Sequence, residues 1–270
     1  MYSSKNVNDL IKVSSDIWRK GWAEGNGGNI SIRMTSGSLE EFLNYPPKSD
    51  WIPIGASYPD LSSETILVSG TGRFLRNIEI NPERNVGIIT LDEKGENYRI
   101  IWGFEGSARP TSELRAHLGI LQIRKMISNN TDRSVIHTHT PHLIALTYMH
   151  ELDQKRISRL IWEMHTECIV VFPEGVGFVK WMMPGSIEIA NATAEEFRHH
   201  RIVIWEQHGV LATGRNLDMA FGLIDTAEKV AKIYIKAVST GCTPRKLKKE
   251  VLLSLAENFK VSPNLSYLEE

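Results

Sequence analysis

The residues best able to do chemistry are two histidines, His137 and His139, inside the apolar run Ser134-Val-Ile-His-Thr-His139. A run of this kind reads as a β-strand, and a strand's period of two points both side chains to one face. Both imidazoles can therefore reach one ion. A third histidine, His208, follows the apolar strand Arg201-Ile-Val-Ile-Trp205 and precedes Gly209, where a strand leaves the core. Three imidazoles with a fourth position open form the ligand set of a catalytic zinc ion. Neutral nitrogen ligands leave the ion its full charge, as a Lewis acid requires.

A carboxylate and three turns accompany the histidines. Pro110-Thr111-Ser112-Glu113 opens an expected helix, with Thr111 or Ser112 as its cap and Glu113 in the first turn. Pattern alone reads Glu113 as a glutamate favoured by the helix dipole. The same place also binds anions, because free N–H groups point outward there. Asn26-Gly-Gly-Asn29 and Ser69-Gly-Thr-Gly72 are short glycine-rich turns at strand ends, where a ligand oxygen can approach backbone N–H groups closely. Each alone reads as a plain turn, and neither has dinucleotide-fingerprint or P-loop spacing. Together, beside a histidine-rich site, they suggest a phosphate pocket. His117 stands one helical turn after Glu113 and can serve either as its partner or as core packing.

The elements that must hold these groups alternate in type. An amphipathic helix carries Val7, Leu10, Ile11, Ile17, Trp18 and Trp22 and is expected to run to the Gly25–Gly28 turn. Half-buried strand Asn29–Arg33 follows, and residues 34–63 read as loop with one short strand. Thr65–Ser69 is a strand, and Asn85–Leu91 with Tyr98–Trp102 forms a hairpin. Helices are expected from Pro110, from Pro141 to Tyr148, from Ser186 to His199, from Leu217 to Val238 and from Arg245 to Phe259; Glu167–Phe172 reads as a strand. The expected fold is α/β, one domain over residues 1–270, with a mostly antiparallel central sheet sandwiched between helices.

Composition excludes several classes of function. Lys plus Arg number 31 and Asp plus Glu 32 in 270 residues, giving a net charge of −1. That balance gives no reason to expect nucleic acid or an anionic membrane surface as partner. Cys168 and Cys242 are too few for a disulfide framework or a zinc ribbon, and read as reduced thiols. The N-terminus lacks a secretory pattern and no apolar run is long enough to span a bilayer, so a cytoplasmic location is expected.

The order Asn26-Gly-Gly-Asn29, Ser69-Gly-Thr-Gly72, Pro110-Thr-Ser-Glu113, His137-Thr-His139, His208-Gly209 resembles the class II aldolase/adducin family. Lys20-Gly-Trp22, Leu143-Ile-Ala-Leu-Thr-Tyr148, Thr166-Glu-Cys168, Val171-Phe-Pro173 and Phe221–Lys229 are similar to one sugar-phosphate aldolase branch of it. The resemblance implies reversible cleavage of a phosphorylated ketose, L-rhamnulose 1-phosphate, to dihydroxyacetone phosphate and L-lactaldehyde. It implies Zn2+ on His137, His139 and His208, Glu113 as catalytic carboxylate, and a homotetramer with active sites between subunits. Glu167 would reach into a neighbouring subunit's site. Asn26, Gly28, Asn29, Thr71, Gly72, Thr111 and Ser112 would hold the substrate and its phosphate. Rivals remain: another phosphosugar aldolase, a 4-epimerase or a dehydratase on this scaffold, a zinc hydrolase, or an inactive adducin-like binding domain.

Overall fold

In the computed structural model, which describes all residues except 1, 3, 43, 44, 107 and 270, one nine-stranded sheet organises the chain. Its strands are β1 (Asn29–Arg33), β2 (Ile52–Pro53), β3 (Thr65–Ser69), β4 (Val86–Leu91), β5 (Asn97–Gly103), β6 (Ser134–Thr138), β7 (Gly177–Val179), β8 (Ile202–Trp205) and β9 (Gly209–Gly214). They lie in the order β2-β5-β4-β3-β1-β6-β9-β8-β7. Only the β7–β8 pairing is parallel. The helices are α1 (Lys5–Arg19), α2 (Ser36–Leu39), α3 (Pro82–Asn85), α4 (Leu114–Ile127), α5 (Pro141–Met149), α6 (Gln154–Met164), α7 (Cys168–Val171), α8 (Ile187–Glu196), α9 (Leu217–Val238) and α10 (Lys249–Asn258).

Helices cover both faces of the sheet. On one face Ile30, Ile32, Ile136, Ile204 and Val210 pack with side chains of α1, α5, α6, α9 and α10. On the other, Ile66, Val68, Val135, Val203 and Leu211 pack with side chains of α4 and α8. The alternation follows the strand period: neighbours such as Val135 and Ile136 belong to opposite cores. Double coverage explains why β1 is buried along its whole length rather than half-buried as expected.

Other departures have local causes. Helix α1 ends at Arg19, short of the Gly25–Gly28 turn. Gly21 takes a positive φ of 75°, and its N–H returns to the Trp18 carbonyl at 2.9 Å, which closes the helix. Residues 34–63 contain the expected short strand, β2, and also the single-turn helix α2. Glu167–Phe172 is not a strand: Cys168–Val171 makes one helical turn, burying Cys168 and Ile169 and half-burying the two valines. Helix α6 and strands β7 and β9 lie outside the expected set.

The antiparallel registers gather the candidate site at one end of the sheet. Asn29, the first residue of β1, pairs with His137 near the end of β6, and β6 pairs with β9 so that Thr138 meets Val210. The end of β3 reaches the same edge, because Ser31 pairs with Val68. The turns before β1, after β3, after β6 and before β9 therefore converge.

Candidate functional site

At this end of the sheet lies a cavity of about 380 Å³. Asn26, Gly28, Asn29, Thr71, Gly72, Thr111, Ser112, Glu113, His137, His139 and His208 all line it. Of the sequence-derived candidates, His117 lies buried behind this lining and Glu167 stands outside it. Glu167 is exposed before α7, and its N–H donates to His165 Nδ1 at 3.2 Å.

His137 is fixed by β6 and His139 by the chain that precedes β1. The Trp22 carbonyl accepts from the His139 N–H at 2.9 Å and from the Thr138 hydroxyl at 2.5 Å, clamping residues 22–28 against the end of β6. His208 occupies the tight turn from β8 to β9, made possible by Gln207 at a φ of 56°. The Gln207 N–H donates to Thr147 Oγ1 at 3.0 Å, tying that turn to α5. Beneath the histidines lies buried Trp205, its ring centroid 4.9 Å from that of His137 and 5.0 Å from that of His208. The Trp205 indole donates to Thr193 Oγ1 at 2.8 Å, so this floor is fixed in turn by α8.

One ligand-capable nitrogen from each of the three histidines lies within 4.8 Å of the others. His137 Nδ1 faces the Val210 carbonyl at 3.2 Å, so it carries the proton and leaves Nε2 with a free lone pair. That Nε2 is buried with no hydrogen-bond partner among the described residues. Burial, then the neighbouring rings of His139 and His208, pushes the His137 imidazole well below its ordinary pKa. Burial also lowers His208, opposed by the Glu113 carboxylate. His139 Nδ1 meets Glu24 Oε1 at 2.6 Å, the carboxylate–imidazole contact that orients a metal-binding histidine. Three imidazoles with ligand nitrogens this close, two of them held from behind by Val210 and Glu24, fit a divalent cation.

Glu113 immediately precedes α4 instead of sitting in its first turn, and neither Thr111 nor Ser112 caps the helix. Its carboxylate turns to the histidines: Oε2 lies 3.6 Å from His137 Nε2, and Oε1 lies 3.9 Å from His208 Nε2. Oε2 also accepts from the Asn29 side-chain amide at 2.8 Å. The opposite wall is backbone. Among the described residues the N–H groups of Gly28, Gly72 and Ser112 have no acceptor, which suits an anionic group. Gly72 has a φ of 64°, and a Cβ on Gly27 would stand 2.8 Å from His139 Nδ1. The cavity thus brings together a histidine cluster that could hold a metal ion, the Glu113 carboxylate and glycine-rich turns.

Residues 8–235 match the model of the class II aldolase and adducin N-terminal domain family. The chain belongs to that family. Rhamnulose-1-phosphate aldolase of Yersinia pseudotuberculosis serotype IB is 42% identical over 271 residues, covering 99% of this chain and 98% of that protein. The protein of the same name from Yersinia pestis is also 42% identical over the same share. Among solved structures, a sugar-phosphate aldolase from Thermotoga maritima superposes with a TM-score of 0.77 at 28% identity, covering 89% of this chain and 98% of that one. An L-fuculose 1-phosphate aldolase, at 24% identity and a TM-score of 0.63 over 96% of this chain, shares the fold. As a member of the class II aldolase and adducin family the chain is expected to depend on a metal, and its three histidines form a possible site for one. No described helix is long and apolar enough to cross a membrane.

Sequence reasoning missed Glu24. It lies two residues before Asn26 with no pattern to distinguish it, and only the fold brings it to His139. His117 is fully buried, and its ring reaches the Glu113 carboxylate through Asn29 rather than directly. Its position one turn along the helix is the signal that pointed to it.

Proposed function

We propose that this chain is a rhamnulose-1-phosphate aldolase. It would reversibly cleave L-rhamnulose 1-phosphate to dihydroxyacetone phosphate and L-lactaldehyde, with Zn2+ held by His137, His139 and His208. The observation that carries the chemistry is the Glu113 carboxylate placed among three converging imidazoles, 3.6 Å from His137 Nε2, at the foot of a cavity walled by free backbone N–H groups. Full-length identity of 42% to proteins named rhamnulose-1-phosphate aldolase supports the choice of sugar.

When bound, the cation supplies Lewis-acid stabilisation of the negative charge that develops on the ketose oxygen. The residues do the rest. Backbone N–H groups of Gly28, Gly72 and Ser112, with the Asn26 and Thr71 side chains, hold the phosphate and so fix the reacting carbons. Cleavage of the C3–C4 bond leaves its electron pair on C3 and turns C4–OH into the aldehyde carbonyl, the hydroxyl proton passing to the carboxylate on the aldehyde side, the place given to Glu167. Glu113 delivers a proton to C3, and in the condensation direction takes it back. Glu167, exposed and away from its own chain's cavity, would serve a neighbouring subunit's site on the aldehyde side. That role requires an oligomer, and the family resemblance supports a homotetramer of single-domain subunits (1–270); a cytoplasmic location is proposed with it. The test is release of dihydroxyacetone phosphate from L-rhamnulose 1-phosphate by the purified protein, with and without a chelator. Chelator-sensitive release is expected; absence of release by the metal-loaded protein would refute this substrate.

A further inference from the structure

Four buried side chains form one directed line of hydrogen bonds that ends on Glu113. The Asn29 amide sits between Glu113 and His117: Nδ2 lies 2.8 Å from Glu113 Oε2, and Oδ1 contacts His117 Nε2 closely. On its far side, His117 Nδ1 lies 2.7 Å from the Ser31 hydroxyl. Only one assignment of protons satisfies every atom. A carboxylate only accepts, so Asn29 presents its NH2 to Glu113 and its oxygen to His117. An amide oxygen only accepts, so His117 Nε2 carries the ring proton, and Nδ1 takes the Ser31 hydroxyl proton. The ring is neutral, as this requires: burial pushes its pKa down to about 4, opposed by Glu113. Ser31 and Asn29 stand on one face of β1, and His117 and Glu113 on or beside the start of α4, so the line crosses from sheet to helix. Among the described residues Asn29 is the one hydrogen-bond donor to the Glu113 carboxylate.

We infer that His117 is a positioning residue for the proton-transfer step: by donating to Asn29 Oδ1 it fixes which end of that amide faces Glu113, and so holds the carboxylate turned toward the histidine cluster. This rests on the reading of Glu113 as the proton carrier. Without the His117 donor the Asn29 amide is tied only at its Glu113 end, so it can swing or turn and the carboxylate loses its fixed position.

Two amide substitutions separate this role from core filling. In His117→Gln the side-chain nitrogen falls near the former Nε2 and can still donate to Asn29. In His117→Asn the amide reaches only the Nδ1 position, so Ser31 keeps a partner and Asn29 loses its own. The assay is kcat and KM for release of dihydroxyacetone phosphate from L-rhamnulose 1-phosphate, on metal-replete protein normalised for folded fraction. H117N is expected to lose about tenfold or more in kcat with KM and metal content near wild type, because the lost interaction acts on the chemical step rather than on binding. H117Q is expected to recover most of that loss. Equal kcat in the two variants, or a raised KM with kcat unchanged, would overturn the inference. Should H117N not fold, Ser31→Ala carries the test: the ring is then free to adopt the other tautomer, and kcat should fall several-fold, whereas a wild-type kcat would overturn it. Glu113→Gln is run in parallel. Near-normal turnover there defeats the reading of Glu113 itself, whereas an inactive E113Q beside a fully active H117N defeats only the positioning role.

Discussion

Replacing Gly27 with alanine tests whether His139 does what its surroundings indicate. Gly27 is half-buried and its φ is not positive, so alanine is admissible on backbone conformation alone. The added Cβ, however, would lie 2.8 Å from His139 Nδ1 and 2.9 Å from both His139 Cε1 and the Glu24 carbonyl. Ordinary contact begins near 3.4 Å, so the ring must withdraw by about 0.6 Å, beyond the roughly 0.5 Å that a preorganised site tolerates. The withdrawal also strains the 2.6 Å bond from His139 to Glu24 and the 2.7 Å turn bond from the Gly27 N–H to the Glu24 carbonyl. Disturbing the partner that orients a metal-binding histidine lowers affinity by about 10–100-fold, or roughly 1.4–2.8 kcal/mol. Global stability should change by less than about 1 kcal/mol, because no core side chain moves. Metal occupancy in graded chelator buffers, read with turnover against free Zn2+, gives both numbers. The expected result is a weakened affinity with turnover partly restored at saturating metal. Gly37→Ala, whose Cβ meets nothing within 4 Å, should leave both unchanged. Wild-type affinity and turnover in G27A would show that His139 is not a ligand.

Other perturbations probe the remaining groups. Glu113→Gln should keep the fold and bind metal yet lose about 10²–10⁴-fold in kcat, as removal of an acid–base group does; steady-state kinetics on metal-loaded protein decide it. If Glu167 acts across subunits, Glu113→Gln and Glu167→Ala should each be nearly inactive alone, while co-assembled subunits regain part of the activity; no recovery in verified mixed oligomers would place Glu167 outside the reaction. Between pH 6.5 and about 4 the unfolded chain takes up a proton at His117 that the folded chain refuses. Stability is therefore lost as pH falls through that window, by roughly 2–3 kcal/mol between pH 7.5 and 4.5. Chemical denaturation of wild type and H117Q after chelation, at both pH values, should show the shallower decline in the variant, and identical slopes would refute the burial argument.

How much of this site is legible in the sequence depends on whether the determining contact is local. The pair His137 and His139 is legible because strand period alone puts them together, and His208 because an apolar strand ends just before it. The sheet is legible wherever β-branched residues alternate or cluster between turns. The same rule misleads at Glu167–Phe172, where Ile169, Val170 and Val171 have strong strand propensity, yet the segment is a single turn that buries Cys168 and Ile169 against the core. Strands β7 and β9 both begin with glycine, which weakens a strand signal but is required sterically: a Cβ on Gly209 would lie 2.6 Å from the Thr138 carbonyl. Helix α6 carries Ile157, Leu160 and Ile161 at helical spacing, so there the information is present.

Glu113 marks the limit of local reading. Its neighbours describe an ordinary glutamate at a helix start, and a dipole argument accounts for it fully. Its carboxylate does not stay at the helix: it turns to His137 and is held by Asn29, 84 residues away, whose own orientation depends on His117, 88 residues from it. No periodicity or capping rule encodes contacts of that range, because they exist only once β1 has paired with β6 and α4 has packed across the sheet. The histidine cluster is thus a local feature that the fold completes, whereas the placement of the Glu113 carboxylate is made by the fold. Substitutions that loosen the β1–α4 contact should therefore injure catalysis before they injure metal binding.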